Sequence, residues 1–507
     1  MAPAFFSDLK FLVVAGIGLF GDGYLNVSIG LGTLFQYAAF WQTERTATDS
    51  IVVPMIGYIY YQDEGGKVPT VPADIIKGAL SIGMVLGQFL FGLFGDTLGR
   101  RHVYGKELLV TIIGTLLVIL LPWSTTFSHN GIVAWLSVFR VLSGIGTGGD
   151  YPVTASLSAE HNPVGSRARL VLLVFASIGL GTMASGVVYV VLLEAFKGAV
   201  ESNIDHLQWV WRLLFGIGII PSALTVYARL TMPETKPYEE YVGADASLQR
   251  GHRGLTQQLR DFREYFAEWK HAKVLFATCS TWFLFDIAFY GISLNQSVIL
   301  GKIGFGTGPT PWATLHNTAI GNIIVCAAGF LPGYYLSIFL PDLFGRVRQQ
   351  VICSMAVAVF YAIWAGVTDH TSAGGLLTLF TFSQFFLCVG PSATTFLIPV
   401  EVFPTRVRAT AHGLSAASGK AGAILAAFTF GTATDKIGLK GVLGLFSGIM
   451  ALVALLTLLI PETKGRTLEE IESGMLYGSA VTVVREVEGE SEIEAPVVKG
   501  EKSEPVE

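Results

Sequence analysis

About twelve stretches of predominantly apolar sequence recur along the chain. No other feature constrains its fold as strongly, because a run of roughly 20 apolar residues is what a helix needs to cross a bilayer core. They fall near 9–30, 78–95, 107–124, 131–157, 168–195 and 208–230, and after a polar interval near 273–300, 316–340, 349–367, 375–399, 409–433 and 441–460. Inside a bilayer the backbone has no water to bond, so such runs must be helical. Composition agrees: 51% of residues are hydrophobic and 14% charged, where a soluble protein carries about a quarter charged. The net charge of −5 gives no reason to expect nucleic acid as a partner. The predicted class is an all-α, polytopic protein embedded in a lipid bilayer, with about twelve transmembrane helices.

The runs divide into two sixes. A first half spans 1–231, a central loop 232–272, a second half 273–470, and an acidic tail with the composition of a disordered segment 471–507. Basic residues concentrate in alternate loops: Arg100, Arg101 and Lys106; Arg167 and Arg169; the central loop's Arg250, Arg253, Arg260, Arg263, Lys270 and Lys273; Arg346 and Arg348; Arg406 and Arg408. The other side carries Arg45, Lys67, Lys77, Lys197, Lys302, Lys436 and Lys440. The positive-inside rule therefore places both termini in the cytoplasm.

The halves repeat one another. GLFGDTLGRR (92–101) follows the second span and LPDLFGRVR (340–348) the eighth. An acid precedes arginines after the fourth span (Glu160, Arg167, Arg169) and after the tenth (Glu401, Arg406, Arg408). RLTMPET (229–235) ends the sixth span and LIPETKGRT (459–467) the twelfth. These charges read as structural latches or gates at helix ends: Asp96 with Arg100, Asp342 with Arg346, Glu160 with Arg167, and Glu401 with Arg408. Paired signals at matching positions predict two pseudo-symmetric six-helix halves, resembling the major facilitator superfamily, whose members bind substrate near the midplane.

Gly144, Gly146 and Gly149 fit G-x-G-x-x-G, but a dinucleotide fingerprint requires a preceding strand and a helix that starts at the glycines. Here the apolar run begins at Val133 and already carries Arg140, so the glycines read as small residues at a close helix contact. Cys279, Cys326, Cys353 and Cys388 are scattered in apolar runs and form no C-x-x-C pair. No metal-ligand spacing, G-x-S-x-G or P-loop is present, so neither enzyme activity, nor a cofactor, nor a metal site is expected.

Charge at membrane depth is costly and marks function by default. On the expected spans it occurs at Asp22, Arg140, Asp150, Asp286 and Lys420. Trp282, Asp286 and Tyr290, spaced i, i+4, i+8, share one helix face, and Tyr151 follows Asp150 directly. Tyrosine hydroxyls and an indole N–H are donors suited to an oxyanion. Acids held close together in low dielectric favour their protonated forms. Protonated, they admit an anion toward Lys420; ionised, they expel it. That couples protons to an anion.

GGDYPVTASLSAE, TWFLFDIAFYGISLNQSVIL, EVFPTRVRATAHGLSAASGKAGAI and LLIPETKGRTLEEI together resemble the phosphate:proton symporters of fungi and plants, over nearly all of 10–475. The resemblance implies a plasma-membrane secondary active transporter that imports inorganic phosphate with protons by alternating access. It makes Asp22 and Asp150 the proton-coupling acids; Asp286 and Arg140 join the candidate coupling groups by their charge at membrane depth. By the resemblance Tyr151, Trp282, Asp286 and Tyr290 line the phosphate pocket and Lys420 assists binding or coupling; Asp150, Ile178 and Ser392 complete the candidate substrate-binding residues. Three positions depart from the family pattern: Leu25 replaces a second acid, Ile178 a pocket glutamine, and Ser392 a pocket asparagine. Each lost hydrogen bond is worth about 1–3 kcal/mol, so a phosphate ester of the glycerophosphodiester kind, or another organic anion, stays open as substrate, as does export. Residues 31–50 interrupt what the family has as one long first helix, and read either as an extracellular loop or as a retained intron. A sugar porter shares PETKGRTLEEI, but the seventh span lacks the paired glutamines that recognise hydroxyls. A nutrient sensor would need a longer structured extension than this tail.

Overall fold

The computed structural model describes residues 14–17, 19–20, 56, 59–61, 68–122, 128–160, 164–243, 254–293, 299–300, 310–467 and 470–471. Asp22 and the 31–50 segment lie outside the described residues. Among those described there is no strand. Ten helices are long and apolar enough to cross a membrane.

The first half contributes α1 (Thr70–Leu98), α2 (Lys106–Ile119), α3 (His129–Glu160), α4 (Val164–Ala195) and α5 (Leu207–Leu230). An amphipathic helix, α6 (Leu255–Ala267), occupies the central loop. In the second half, α7 (Trp269–Ser293) precedes α8 (Pro311–Val325), which continues through a widened turn at Cys326–Phe330 into Leu331–Ser337. Then come α9 (Arg346–Val367) and α10 (Ala373–Leu387), which passes through a second widened turn at Cys388–Ser392 into Ala393–Val402. The last element, α11 (Arg408–Thr457), comprises the eleventh and twelfth spans, broken where Gly438 takes φ +70°.

The glycine triplet lies in the middle of α3, not at a helix start. A Cβ on Gly144 would lie 2.2 Å from the Leu80 carbonyl oxygen, and one on Gly148 2.4 Å from that of Met84. Glycine there lets α1 and α3 meet backbone to backbone. The outward faces carry exposed Leu224, Tyr227, Ile352 and Leu455, as a lipid-facing surface requires. The second span is longer than expected, so Asp74 and Lys77 are buried within α1, 3.9 Å apart, and Lys77 does not belong to a loop.

At one end of the bundle the repeated motifs build the same knot twice. Glu234 accepts from the Arg101 backbone N–H (3.1 Å), and Glu462 from those of Arg346 (3.0 Å) and Val347 (3.1 Å), each capping a helix start. Gly99 (φ +95°) and Gly345 (φ +90°) make the turns beneath those carboxylates. Thr235 donates to Glu160 (2.6 Å), and Thr463 to Glu401 (2.7 Å).

Asp96 is 3.2 Å from Arg100, and Asp342 is 3.5 Å from Arg346. The partners of the other two acids differ from those expected. Glu160 accepts from Arg100 and Arg408, each at 2.9 Å, and Glu401 from Arg346 (2.8 and 3.0 Å). Arg167 instead donates to the Arg466 carbonyl (3.3 Å). The reason is geometric: each acid ends a helix beside the arginine that follows another span, and that arginine is nearer in space than the one across the acid's own loop.

Several of these bonds join the halves. Asp96 caps α11 of the opposite half, accepting from the Ala409 and Thr410 N–H groups (3.2 and 2.7 Å) and the Thr410 hydroxyl (2.7 Å). Arg100 donates to the Thr405 carbonyl (2.8 Å), and Arg169 to Asp342 (2.9 Å). This end of the bundle is shut.

Candidate functional site

Among the described residues, two charged clusters join different helices inside the bundle away from the knots, one in each half. The second half's cluster is built from α7 and α11, pressed together at glycines: a Cβ on Gly422 would lie 2.2 Å from the Phe283 carbonyl oxygen. Lys420 donates to Asp286 (3.2 Å) and to the Tyr290 hydroxyl (2.7 Å). Its ammonium lies 4.4 Å from the centre of the Tyr290 ring and 5.5 Å from that of Tyr151, which reaches over from the other half. Trp282 stands one turn before Asp286 on the same face. Trp282, Asp286, Tyr290, Lys420 and Tyr151 are all at most 8% exposed. An anion arriving here meets a cation flanked by hydroxyl and indole donors, in a medium where such contacts count for more than in water.

Aromatic rings close this cluster on the side of the charged knots. Phe396 of α10 lies 5.9 Å from Tyr151 and 4.5 Å from Phe175, and His412 of α11 sits edge-on to both Phe396 (5.2 Å) and Trp282 (5.6 Å). Ser392 falls on the widened turn of α10, a local geometry frequent at functional sites. Its hydroxyl pairs with that of Tyr334 (3.2 Å). A Cβ on Gly179, beside the half-buried Ile178, would lie 2.8 Å from the same Tyr334 ring. Of the positions that depart from the family pattern, Ser392 touches Tyr334 directly, and Ile178 adjoins the glycine that faces its ring.

The first half's cluster centres on Arg229 of α5. It donates to both oxygens of Asp150 (2.5 and 3.4 Å) and to Glu107 (3.1 Å). It also donates to the Val14 and Ala15 carbonyls (3.2 and 3.1 Å), tying in the first span. Its guanidinium stacks 4.5 Å over Tyr104. Thr154 adds a hydroxyl to Asp150 at 2.6 Å. Glu107 also takes the Gly105 N–H (2.8 Å), while its other oxygen, Oε2, has no partner among the described residues. Asp150 thus adjoins Tyr151 in sequence yet faces a cation of its own, away from Lys420.

Arg140 is buried on α3, with Nε and Nη2 unpaired among the described residues. Of the intramembrane charges expected from sequence, Asp286 and Lys420 are brought together; Asp150 and Arg140 are not joined to them. Arg229, Glu107, Tyr334 and His412 are the additions. Arg229 and Glu107 stand at the very ends of the expected spans 208–230 and 107–124, where a charge ordinarily reaches the headgroups. Tyr334 and His412 had no charge inside an apolar run to draw attention to them.

Two pseudo-symmetric helical halves around a buried ionic site define a secondary transporter of the major facilitator type. The proton:xylose symporter XylE matches the fold with a TM-score of 0.69 at 19% identity, covering 92% of this chain and 98% of that one. The family model "Sugar (and other) transporter" matches residues 12–474. Within that class, the repressible high-affinity phosphate permease of Neurospora crassa is 33% identical, covering 93% of this chain and 87% of that protein. The inorganic phosphate transporter PHO84 of Saccharomyces cerevisiae is 33% identical over 92% and 84%. Low affinity inorganic phosphate transporter 3 of Petunia hybrida is 32% identical over 98% and 95%. The chain belongs to the family of fungal and plant inorganic phosphate transporters.

Proposed function

We propose that this protein imports inorganic phosphate with protons across the plasma membrane by alternating access, with both termini and the knotted end in the cytoplasm. The carrying observation is Lys420, held inside the bundle by Asp286 and Tyr290 and flanked by Tyr151 and Trp282. Phosphate takes its place among these donors, and Asp286 yields part of its hold on the ammonium as the anion arrives. The protons travel through the first half. Asp150 and Glu107 share one guanidinium, so the trio is one negative charge in excess when both acids are ionised. A single proton neutralises it, and Glu107 Oε2, which has no partner among the described residues, is a place for that proton. Asp22 belongs to this route by resemblance, and Arg140 by its charge buried within a span. The knots of Asp96, Arg100, Glu160, Arg167, Asp342, Arg346, Glu401 and Arg408 hold the inner gate.

The test is labelled phosphate uptake in cells without their own phosphate carriers, at acid and near-neutral external pH, with Lys420→Ala as control. Saturable uptake that rises in acid and is lost in the mutant supports the reading. Absence of uptake by surface-localised protein sinks phosphate as substrate. A second reading, a phosphate ester such as a glycerophosphodiester, has Ile178 and Ser392 in its favour: two amides are replaced by an alkyl group and a short hydroxyl, which leaves a wider, less polar wall. The same cells, supplied with labelled glycerophosphodiester, decide between the two.

A further inference from the structure

Between the Lys420 cluster and the knotted end lies a second polar tier that the proposed mechanism leaves unused. His412, Ala416 and Lys420 are spaced i, i+4, i+8 on α11, so they lie on one face, with His412 about 12 Å nearer the knots at 1.5 Å per residue. His412 is fully buried. Its Nε2 is 3.1 Å from the Phe396 carbonyl oxygen, a contact that requires Nε2 to carry the proton. The neutral tautomer then leaves a lone pair on the buried Nδ1, and no described group donates to it. The rings of Trp282 and Phe396 pack edge-on against it.

Gln88 of α1 stands at the same level. A Cβ on Gly413, the residue after His412, would lie 2.2 Å from the Gln88 backbone oxygen. Gly87 presses on Ile145 of α3, and Gly95, two turns further on, has Ala409 of α11 on one side and Val153 of α3 on the other. Gln88 therefore occupies the wedge where α1, α3 and α11 meet. It is fully buried, and neither its Oε1 nor its Nε2 has a hydrogen-bond partner among the described residues. Buried polar groups are rarely left unmet, and each one unmet costs about 1–3 kcal/mol. Here three atoms on two adjoining helices are unmet among the described residues, at or one position from the α1–α11 contact.

We propose that His412 and Gln88 form a second, release-side oxyanion site that selects a phosphate still carrying its own proton. The inference rests on the phosphate reading above. Dihydrogen phosphate has both P–OH donors and P–O⁻ acceptors. One P–OH meets the Nδ1 lone pair of neutral His412, and one P–O⁻ accepts from the Gln88 amide N–H. Sulfate offers acceptors only, and a phosphodiester has no P–OH, so both leave Nδ1 without a donor. A site built to bond a substrate hydroxyl rejects analogues that lack it more strongly than an apolar wall can.

The experiment uses inside-out and right-side-out membrane vesicles of the full-length protein, with labelled phosphate counterflow, and sulfate and dimethyl phosphate as competitors. Gln88→Leu keeps the shape and removes the amide; His412→Phe keeps the ring and removes both nitrogens. Each variant is expected to raise the KM for phosphate presented at the knotted side about tenfold. It is expected to narrow the preference for phosphate over sulfate on that side by a similar factor, and for Gln88→Leu, which leaves the rings around Trp282 in place, the KM from the other side is unchanged. Because Gln88→Leu removes no ring packing, it carries the test if His412→Phe fails to fold. An unchanged knotted-side KM and preference overturns the site and leaves these atoms to ordinary buried water. An equal rise in KM from both sides also overturns it, since the residues would then serve the central site. If the parent protein moves no phosphate from either side, the phosphate reading falls and this site falls with it.

Discussion

Gly419 is the point where the helix carrying Lys420 touches the helix carrying Asp286, and Gly419→Ala tests whether Trp282 is a wall of the substrate site. A Cβ at position 419 would lie 2.3 Å from Trp282 Cδ1, 2.8 Å from Nε1 and 2.9 Å from Cγ. Carbon atoms at rest sit about 3.5 Å apart or more, so the indole has to retreat by about 1.2 Å. It cannot pivot freely, because its other side meets His412. Overpacking of this size costs about 1–3 kcal/mol, which a folded protein can bear. The geometric effect is larger in consequence, because a misplacement of about 1 Å among positioned groups costs on the order of 10²-fold in rate. Phosphate uptake at low substrate is therefore expected to fall ten- to hundredfold while the protein reaches the surface normally. Gly448→Ala is the control: it is on the same α11, and a Cβ there meets nothing within 4 Å. Trp282→Phe in the Gly419→Ala background should recover part of the loss by vacating the contested volume. If Gly419→Ala transports like Gly448→Ala, with the parent KM, Trp282 does not border the substrate and the site has been drawn one turn too wide.

Arg229→Met leaves Asp150 and Glu107 buried without their cation, a change that costs about 3–5 kcal/mol. Little monodisperse protein should be recovered on size-exclusion chromatography, and adding Asp150→Asn with Glu107→Gln should restore folding but not proton-coupled uptake. Glu160→Gln removes the charge that gathers Arg100 and Arg408, so cysteines placed on the knotted face of α11 should label faster with a membrane-impermeant thiol reagent. Asp342→Asn should barely change that labelling. Ile178→Gln with Ser392→Asn returns two amides to the Tyr334 wall and should lower the phosphate KM about tenfold, the equivalent of about 1.4 kcal/mol; an unchanged KM would remove that wall from the substrate's path.

Which parts of this molecule are legible in its sequence follows from how cost is distributed along a membrane chain. Apolar runs declare the helices because lipid tolerates nothing else, and a lone charge within a run declares Asp286 and Lys420 on any reasonable placement of the span. Repetition declares the knots, since D-x-x-G-R and P-E-T recur at matching places. Partnership is harder to read. Glu160 and Arg167 are seven residues apart, yet Glu160 pairs with Arg100 and Arg408, because helix ends meet neighbours from distant spans. Arg229 illustrates the same limit: at the end of an apolar run it resembles a headgroup anchor, and only the approach of α2, α3 and the first span turns it inward. His412 and Gln88 are quieter still, being ordinary residues whose interest lies in what they fail to touch.

The two knots share a plan but not a strength, and the difference gives the gate a direction. On the side where α1 and α3 meet α11, Asp96 takes three bonds from the start of α11, and Glu160 binds an arginine from each half, all without solvent contact. On the side where α4 approaches the short turn before α9, Glu401 binds Arg346 of its own half, and the halves are joined by Arg169 with Asp342 and by Arg167 with the Arg466 carbonyl. The Arg169 side chain is 53% exposed. An exposed pair of that kind contributes about 0–1 kcal/mol, whereas removing one member of a buried pair costs about 3–5 kcal/mol. Thermal opening is therefore expected to begin where α4 parts from the turn before α9, with the α1–α11 contact as the hinge. His412 and Gln88 lie along α11 and α1 at that hinge, so the second polar tier keeps its geometry while the path beside it widens.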